Sequence, residues 1–359
     1  MIAGLLEGLI ENLHIALKLS IYVVGLALGV FCLVKFCNLF VDGAGVIAKK
    51  LKISPLIIGL TIVAMGTSLP ELAVSVSDSI TCLIQGGHAN VAIGNVVGSN
   101  ICNILLVLGF SVTFTPIVIR KNIGKRELPI LLGCTALVVL FVCLFGLSSA
   151  ASLTDLAVTR WEGVILVVIM IAYLTYIVLM AKKRPDELDP VEDITADMPL
   201  WRAILFVFIG AAGIFLGGQL VEFGAKGLAM QGAEALKIDH DMAEALVGLT
   251  IVAVGTSLPE LVTSCIAAKK GENEIAVGNV IGSNMFNMLF VMGVSATVNP
   301  LTTGSQVLVD CLVMLAVTVL LLVFAQKGKL TKTHGITLLS IYGVYLVYLI
   351  LRTVLGWTF

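Results

Sequence analysis

Glu71 and Glu260 are the residues of this chain best placed to do chemistry. Each lies in the same seventeen-residue motif, GLTIVAMGTSLPELAVS from Gly59 to Ser75 and GLTIVAVGTSLPELVTS from Gly248 to Ser264, and the copies differ at only three positions. Both place a carboxylate just behind Gly, Thr, Ser and Pro inside a strongly apolar run. A second duplicated stretch follows each: AIGNVVGSNICNILLVLG at 92–109 and AVGNVIGSNMFNMLFVMG at 276–293. There Asn95, Ser99 and Asn103 fall at i, i+4 and i+8, as do Asn279, Ser283 and Asn287, so each trio shares one helical face.

This set of side chains offers oxygen and no sulfur or imidazole. Pro70 has no N–H to give the carbonyl of Gly66, and Gly66 itself favours departure from helix. A helix interrupted there exposes backbone carbonyls such as those of Ala64, Met65 and Thr67, and the second copy repeats this with Ala253, Gly255 and Thr256. Carbonyls freed at membrane depth need protein, water or an ion. Thr67, Ser68, Ser257 and the two glutamates add side-chain oxygens at the same level. Together they suit a hard cation, Ca2+ above all, which takes roughly 6–8 oxygens in flexible geometry. Two carboxylates balance one divalent ion, or are competed for by smaller monovalent ions and protons. Gly94 with Gly98, and Gly278 with Gly282, form a GxxxG spacing that lets a neighbouring helix approach closely.

Plainer roles compete at each position. Ser68-x-x-Glu71 and Ser257-x-x-Glu260 fit a capping box, in which the acid reaches back to the N-cap amide. A carboxylate near the bilayer centre costs roughly 2.5–3.5 kcal/mol on the mildest scale, and a serine cap alone would serve, so ion binding is favoured. The asparagine and serine stripes could serve interhelical hydrogen bonding. On that ground Asn95, Asn100, Asn279 and Asn284 are weaker ligand candidates than Ser99, Asn103, Ser283 and Asn287. Asp78, whose counterpart is Ala267, reads as a solvated helix end.

The elements that must position these groups are membrane helices. Of the 359 residues 58% are hydrophobic and only 13% charged, against about 25% charged in soluble domains; the mean hydropathy is +1.07. Apolar runs near the ~20 residues needed to cross a bilayer occur at about 20–42, 54–85, 89–111, 128–147, 161–181, 202–228, 243–268, 274–297, 306–326 and 334–355. The fold class expected is therefore an all-α polytopic membrane protein of ten transmembrane helices. A net charge of −1, with no basic stretch interleaved with aromatics, gives no sign of nucleic acid binding. The eight cysteines show no C-x-x-C spacing and read as small buried hydrophobes, and the four histidines fall at segment ends or in loops. Glu7 and Glu11 interrupt the first apolar stretch and no basic region precedes it, so a signal peptide is not expected.

Loops after odd-numbered segments carry sixteen Lys and Arg residues, the opposite side five, with Lys35 inside the first segment. The positive-inside rule then turns the odd loops to the cytoplasm and both termini outward. Glu71 lies in segment 2 and Glu260 in segment 7, an odd offset of five crossings. The copies must enter the membrane from opposite sides, as in transporters built from inverted repeats with the site at the midplane. Residues 1–181 form the N-terminal five-helix repeat with its ion-binding motif at 59–109, and 200–359 the C-terminal repeat with its motif at 248–293. Between them 182–199, KKRPDELDPVEDITADMP, is a charged cytoplasmic hinge. Helices 2 and 7 are expected to be broken, near Gly66–Pro70 and Gly255–Pro259.

At the paired GTSLPE and GN-V-GSN segments the sequence resembles the cation/calcium exchanger superfamily, in particular its prokaryotic sodium/calcium exchanger-like branch. Hydropathy extends the likeness over the whole chain. The resemblance implies an antiporter of the cell membrane that binds Na+ and Ca2+ at overlapping midplane sites and alternates access between the two sides. It implies no resident cofactor and no enzymatic activity. Its ligands would fall on Glu71 and Glu260, Ser68 and Ser257, Ser99 and Ser283, on the carbonyls of Ala64, Thr67, Ala253 and Thr256, and on the polar pair Asn103 and Asn287. Related exchangers, potassium-dependent members among them, carry aspartate where this chain has Asn287, so coupling to K+ is not expected. The first repeat also has five extra residues between its glutamate and its Gly-Asn motif, in SDSITCLIQGGHAN at 77–90, placed in an outward loop. The nearest rival is a Ca2+/H+ antiporter on the same scaffold; a cation channel, which would need a symmetric oligomeric filter, belongs to another class. Proton-coupled relatives resemble GN-x-x-E around their acids, which favours sodium. The oligomeric state stays open.

Overall fold

The computed structural model describes residues 13–85, 90–120, 122–148, 156–183, 198–235, 253–303 and 305–355, together with Leu6, Gly8 and Ile10. In chain order the first helices are α1 (Ile15–Leu51), α2 (Pro55–Thr67) and α3 (Leu69–Gln85). Helix α4 runs through Asn90–Cys102, Asn103–Leu108 and Gly109–Phe114. Then come α5 (Ile123–Glu127 continuing as Leu128–Ser148), α6 (Arg160–Lys183) and α7 (Leu200–Ala235). The second half has α8 (Ala253–Thr256), α9 (Leu258–Lys269), and α10 as Asn273–Phe286, Asn287–Val291 and Met292–Val298. It ends with α11 (Ser305–Ala325) and α12 (Lys332–Leu355). Among the described residues eight helices are long and apolar enough to cross a membrane, and α2 with α3 make a ninth if taken as one bent span. The remaining expected segment, the seventh at 243–268, lies partly outside the described residues.

The packing places polar atoms inside and apolar side chains outside, as a bilayer requires. Every residue from Ile275 to Leu289 in α10 is buried, while Phe208, Val344 and Trp161 on outer helices are exposed. Helix α1 lies against α7 along a seam of small residues. A Cβ on Gly29 would stand 2.7 Å from the Val221 nitrogen, and one on Gly43 2.7 Å from the Ala203 carbonyl oxygen. Contacts climb α1 as they descend α7, so the two helices are antiparallel. Helices of 37 and 36 residues are each about 55 Å long, so they outrun the ~30 Å hydrocarbon core even when tilted, and their ends reach beyond it.

Short contacts between loops also sort by side. Strand β1 (Ile117–Val118) pairs antiparallel with β4 (Lys329–Leu330), and β2 (Leu156–Val158) with β3 (Leu301–Thr303). Glu274 is held by both Arg120 and Ser54, and Lys270 pairs with Asp42 near the end of α1. Each of these contacts joins two loops that follow odd-numbered segments, or two that follow even-numbered ones.

Two expectations need correction. Gly66 does not leave the helix: it is helical and its φ is negative. Its missing side chain makes room for α1 instead, because a Cβ there would lie 2.7 Å from the Phe40 ring. The five extra residues of the first repeat are not a loop either. Helix α3 has 17 residues and α9 has 12, so the insertion adds about one and a half helical turns.

The expected GxxxG approach is present in the second copy. A Cβ on Gly278 would stand 2.8 Å from the Leu56 carbonyl oxygen, and one on Gly282 2.5 Å from that of Leu60. The corresponding partner of Gly94 and Gly98 would be the stretch 245–249, outside the described residues. Gly282→Ala should therefore force α10 off α2 and lower stability by about 1–3 kcal/mol. Gly343→Ala in α12, where nothing lies within 4 Å, should leave stability unchanged or raise it. Thermal unfolding of both variants in one detergent checks this; a Gly282→Ala protein melting with the wild type would refute the close contact.

Candidate ion-binding site

The duplicated motif folds into the same backbone twice. Helix α2 ends at Thr67, Ser68 takes φ −86° and ψ 13°, and α3 starts with Leu69 and Pro70 at an angle of 49° to α2. In the second copy α8 ends at Thr256, Ser257 takes φ −85° and ψ 0°, and α9 starts with Leu258 and Pro259. Proline fits the first turn of a helix because its missing N–H would be unpaired there anyway. The serines occupy the sparsely populated bridge region of backbone space. The break in helix 2 is thus at Ser68, within the stretch expected; the segment leading into α8 lies outside the described residues.

Glu71 and Glu260 both open the helix after the break, and both are fully buried. The Ser68 hydroxyl donates to Oε1 of Glu260 at 2.7 Å, which joins the two halves of the chain. The hydroxyls of Ser99 and Thr256 stand beside the Glu71 carboxylate, and those of Thr67 and Ser283 beside that of Glu260. Thr67 also donates to Oδ1 of Asn279 at 3.1 Å and lies 3.4 Å from the Ser283 hydroxyl. Asn103 and Asn287 each begin a π-helical stretch, Asn103–Leu108 and Asn287–Val291, and both are fully buried. Such single wide turns inside helices are frequent at functional sites.

Several of these atoms have no hydrogen-bond partner among the described residues: both carboxylate oxygens of Glu71, Oε2 of Glu260, the hydroxyls of Ser99 and Ser257, and the amides of Asn103 and Asn287. Buried polar groups are normally paired, and the other deeply buried acids obey that rule. Glu127 has Arg126 on one oxygen and the Tyr173 hydroxyl on the other; Asp310 has Arg352 and Tyr345. Glu71 and Glu260 have no basic partner among the described residues. The group is rich in hard oxygens and short of cations, which suits a hard cation in its midst. Among the described residues no cluster of three or more His, Cys, Asp or Glu could hold a metal, so two carboxylates carry the charge here.

The capping box is not formed. Ser257 makes no side-chain cap, Ser68 turns to Glu260, and the Glu71 carboxylate does not reach back to the cap. The Ala64 carbonyl is not released by the break, since it accepts from the Ser68 N–H at 3.1 Å and the Thr67 hydroxyl at 3.2 Å. Both of its lone pairs are therefore engaged, and an ion would have to displace the Thr67 hydroxyl to reach it. Ala253 opens α8. Asp78 is not a free helix end: its Oδ2 accepts from the Ala92 N–H at 3.1 Å, in the first turn of α4.

Sequence reasoning missed Ser75 and Ser264. Asn95 donates to the Ser75 hydroxyl at 2.9 Å and to the Glu71 carbonyl at 3.3 Å. Asn279 repeats this with Ser264 at 2.9 Å and the Glu260 carbonyl at 3.4 Å. Both asparagines, ranked below Asn103 and Asn287 as ligands, thus brace the helices that carry the acids. The signal was available: Ser75 and Ser264 are the last residues of the seventeen-residue motif, one turn beyond each glutamate.

The sodium/calcium exchanger protein family matches residues 21–179 and 202–351 of this chain. The sodium/calcium exchanger MaX1 of Methanosarcina acetivorans is 33% identical over 354 residues, covering 90% of this chain and 97% of MaX1. The inner membrane protein YrbG of Escherichia coli is 33% identical over 290 residues, covering 79% of this chain and 81% of YrbG. A solved structure of the sodium-calcium exchanger NCX_Mj, soaked with 10 mM Na+ and 10 mM Sr2+, has a TM-score of 0.73 at 31% identity, covering 92% of this chain and 98% of that one. With two apolar halves that meet at two buried, unneutralised glutamates, this integral membrane protein belongs to the sodium/calcium exchanger family.

Proposed function

We propose that the chain is a secondary antiporter that exchanges Ca2+ for Na+ without requiring K+. Glu71 and Glu260 supply the charge, and Ser68, Ser257, Ser99, Ser283, Asn103 and Asn287 supply neutral oxygens with the carbonyls of Ala64, Thr67, Ala253 and Thr256. The observation that carries this reading is the convergence of both duplicated motifs on one buried, oxygen-rich cluster whose carboxylates lack a cationic partner. The names of MaX1 and NCX_Mj point to the same pair of ions. Ten spans in two inverted repeats, 1–181 and 200–359, accommodate the antiparallel pairing of α1 with α7 and the sorting of loop contacts by side. The charged connection 182–199 is the cytoplasmic hinge, and both termini face outward from the cell membrane.

Charge explains the independence from K+. Asn103 and Asn287 are neutral dipoles, so the cage has two formal negative charges. One Ca2+ balances them, and adding K+ would leave excess positive charge at membrane depth, a costly state. Na+ ions spread over the same oxygens on the return.

Ca2+ uptake into proteoliposomes under an outward Na+ gradient, with K+ absent from both sides, should proceed at its full rate. Flux that collapses without K+ would overturn the charge argument, and flux driven by a proton gradient in place of Na+ would favour a Ca2+/H+ antiporter.

Glu71→Gln and Glu260→Gln separate ligand from structural roles. Each should abolish exchange. In ion-free buffer each should melt at or above the wild type, because a buried charge without a partner has been removed. The rise in melting temperature that Ca2+ gives the wild type should vanish in both. Wild-type transport in either variant, or a large loss of stability without ions, would refute the assignment.

A further inference from the structure

Two buried hydroxyls lie beyond the site just described. Ser79 in α3 and Ser295 in α10 are each almost completely inaccessible, and neither Oγ has a hydrogen-bond partner among the described residues. Ser79 continues the row Glu71, Ser75, Ser79 at i, i+4 and i+8, on one face of α3. It stands about 12 Å from Glu71 along the helix axis. Ser295 stands eight residues beyond Asn287 on α10, and the end of α10 packs against α3. Gly293 and Thr297 of α10 face Gly163 of α6. Ser295 lies about 200° around the helix from Gly293, so its side chain turns away from α6.

The matching contact in the other copy fixes the register. Ser111, eight residues beyond Asn103, is the counterpart of Ser295, and its Oγ lies 3.3 Å from Cys265 Sγ on α9. Cys265 is the counterpart of Val76 on α3. The same register sets Ser295 opposite Val76, within a turn of Ser79. The chemistry on the two sides then differs. Ala268 stands in α9 where Ser79 stands in α3, and the Ser111 hydroxyl already donates to the Val107 carbonyl at 2.8 Å. One side of the central site presents two unpaired hydroxyls; the corresponding positions on the other side present none.

We propose that Ser79 and Ser295, with Ser75 between them and the glutamates, form a second, weaker cation station on the path from Glu71 to the membrane face at which α3 ends. This rests on the exchanger reading above. Neutral hydroxyl oxygens suit a small monovalent cation such as Na+ that keeps part of its water shell. The neighbouring Asp78 does not turn the station into a strong divalent site, since its two oxygens face the Ala92 N–H and the Cys82 thiol. A station without formal charge passes its ion on to Glu71 and does not retain it. The corresponding path on the α9 side lacks such a step, so Na+ dependence should differ between the two faces.

The test is Na+-dependent Ca2+ flux in vesicles of one orientation, with Na+ varied at one face at a time. Ser79→Ala and Ser295→Ala should each raise the half-saturating Na+ roughly three- to tenfold at the face where α3 ends. The Na+ dependence at the opposite face should not move, and neither should the maximal rate. Ser79→Thr, which keeps a hydroxyl, should restore the wild-type value. Ser111→Ala should leave Na+ dependence at the α3 face unchanged. If Ser79→Ala does not fold, Ser295→Ala reads the same station from the other helix. Equal shifts at both faces, no shift in either alanine variant, or a threonine variant that behaves like alanine would overturn the station while leaving the exchanger intact. A wild type without Na+-driven Ca2+ flux would overturn the exchanger reading, and this inference with it.

Discussion

Two carboxylates buried in a membrane domain with no cation among the described residues to balance them form the constraint on which the rest of this structure depends. At roughly 2.5–3.5 kcal/mol per charge on the mildest scale, such a pair is tolerated only where function requires it. The chain neutralises its other deeply buried acids: Glu127 and Asp310 each have an arginine and a tyrosine. Around Glu71 and Glu260 it places hydroxyls and amides instead, groups that solvate charge without cancelling it. Broken helices supply the geometry, because a continuous helix would spend its backbone oxygens on its own ladder. Close packing supplies the support. The approach of α2 to α10 at Gly278 and Gly282, and of Phe40 to Gly66, brings the breaks near enough to share one cluster.

The two halves repeat one backbone solution, yet their side chains are not equivalent. Ser68 and Ser257 have nearly the same φ and ψ, and Asn103 and Asn287 each start a π-helical stretch. Ser68 bonds across to Glu260, whereas Ser257 has no such bond to Glu71. A pair of repeats that shares a symmetric frame and differs in which bonds are made is what a two-state transporter needs. In the proposed exchanger the alternative state would be reached by exchanging the roles of the halves, with little change in the number of contacts. The extra turns of α3 and the unpaired hydroxyls of Ser79 and Ser295 show that the symmetry is incomplete away from the central cluster.

Much of this was legible in the sequence because it was written twice. Duplication separated the residues that matter from the apolar background, and the odd offset between Glu71 and Glu260 is what motivates the inverted arrangement proposed above. What could not be read depended on neighbours distant in sequence. Gly66 looks like a helix breaker beside Pro70, but its role is set by Phe40 in another helix. Asp78 looks like a free helix end because the amide it caps, that of Ala92, lies beyond an insertion. The insertion looks like a loop because its Gly-Gly-His tip dominates its composition, although most of its length extends α3. Ser75 and Ser264 close both copies of the motif, but their role is plain only once the asparagine that bonds each is placed beside it.

The same electrostatic constraint gives the proposed exchanger its coupling. An exchanger must prevent the empty site from changing sides, or ions would leak downhill without work. Two uncompensated carboxylates penalise that step by about 5–7 kcal/mol if each contributes its mildest value. At 25 °C a penalty near 5.5 kcal/mol corresponds to about 10⁴ in population. Loading Ca2+, or Na+ ions of equal total charge, removes most of it, so only the occupied site is free to move. A third carboxylate in place of Asn287 would deepen the penalty of the empty site but leave the Ca2+-loaded one negative, and so would call for a further cation. With asparagine at both Asn103 and Asn287, a single divalent ion satisfies the site, and obligatory exchange follows from charge balance alone.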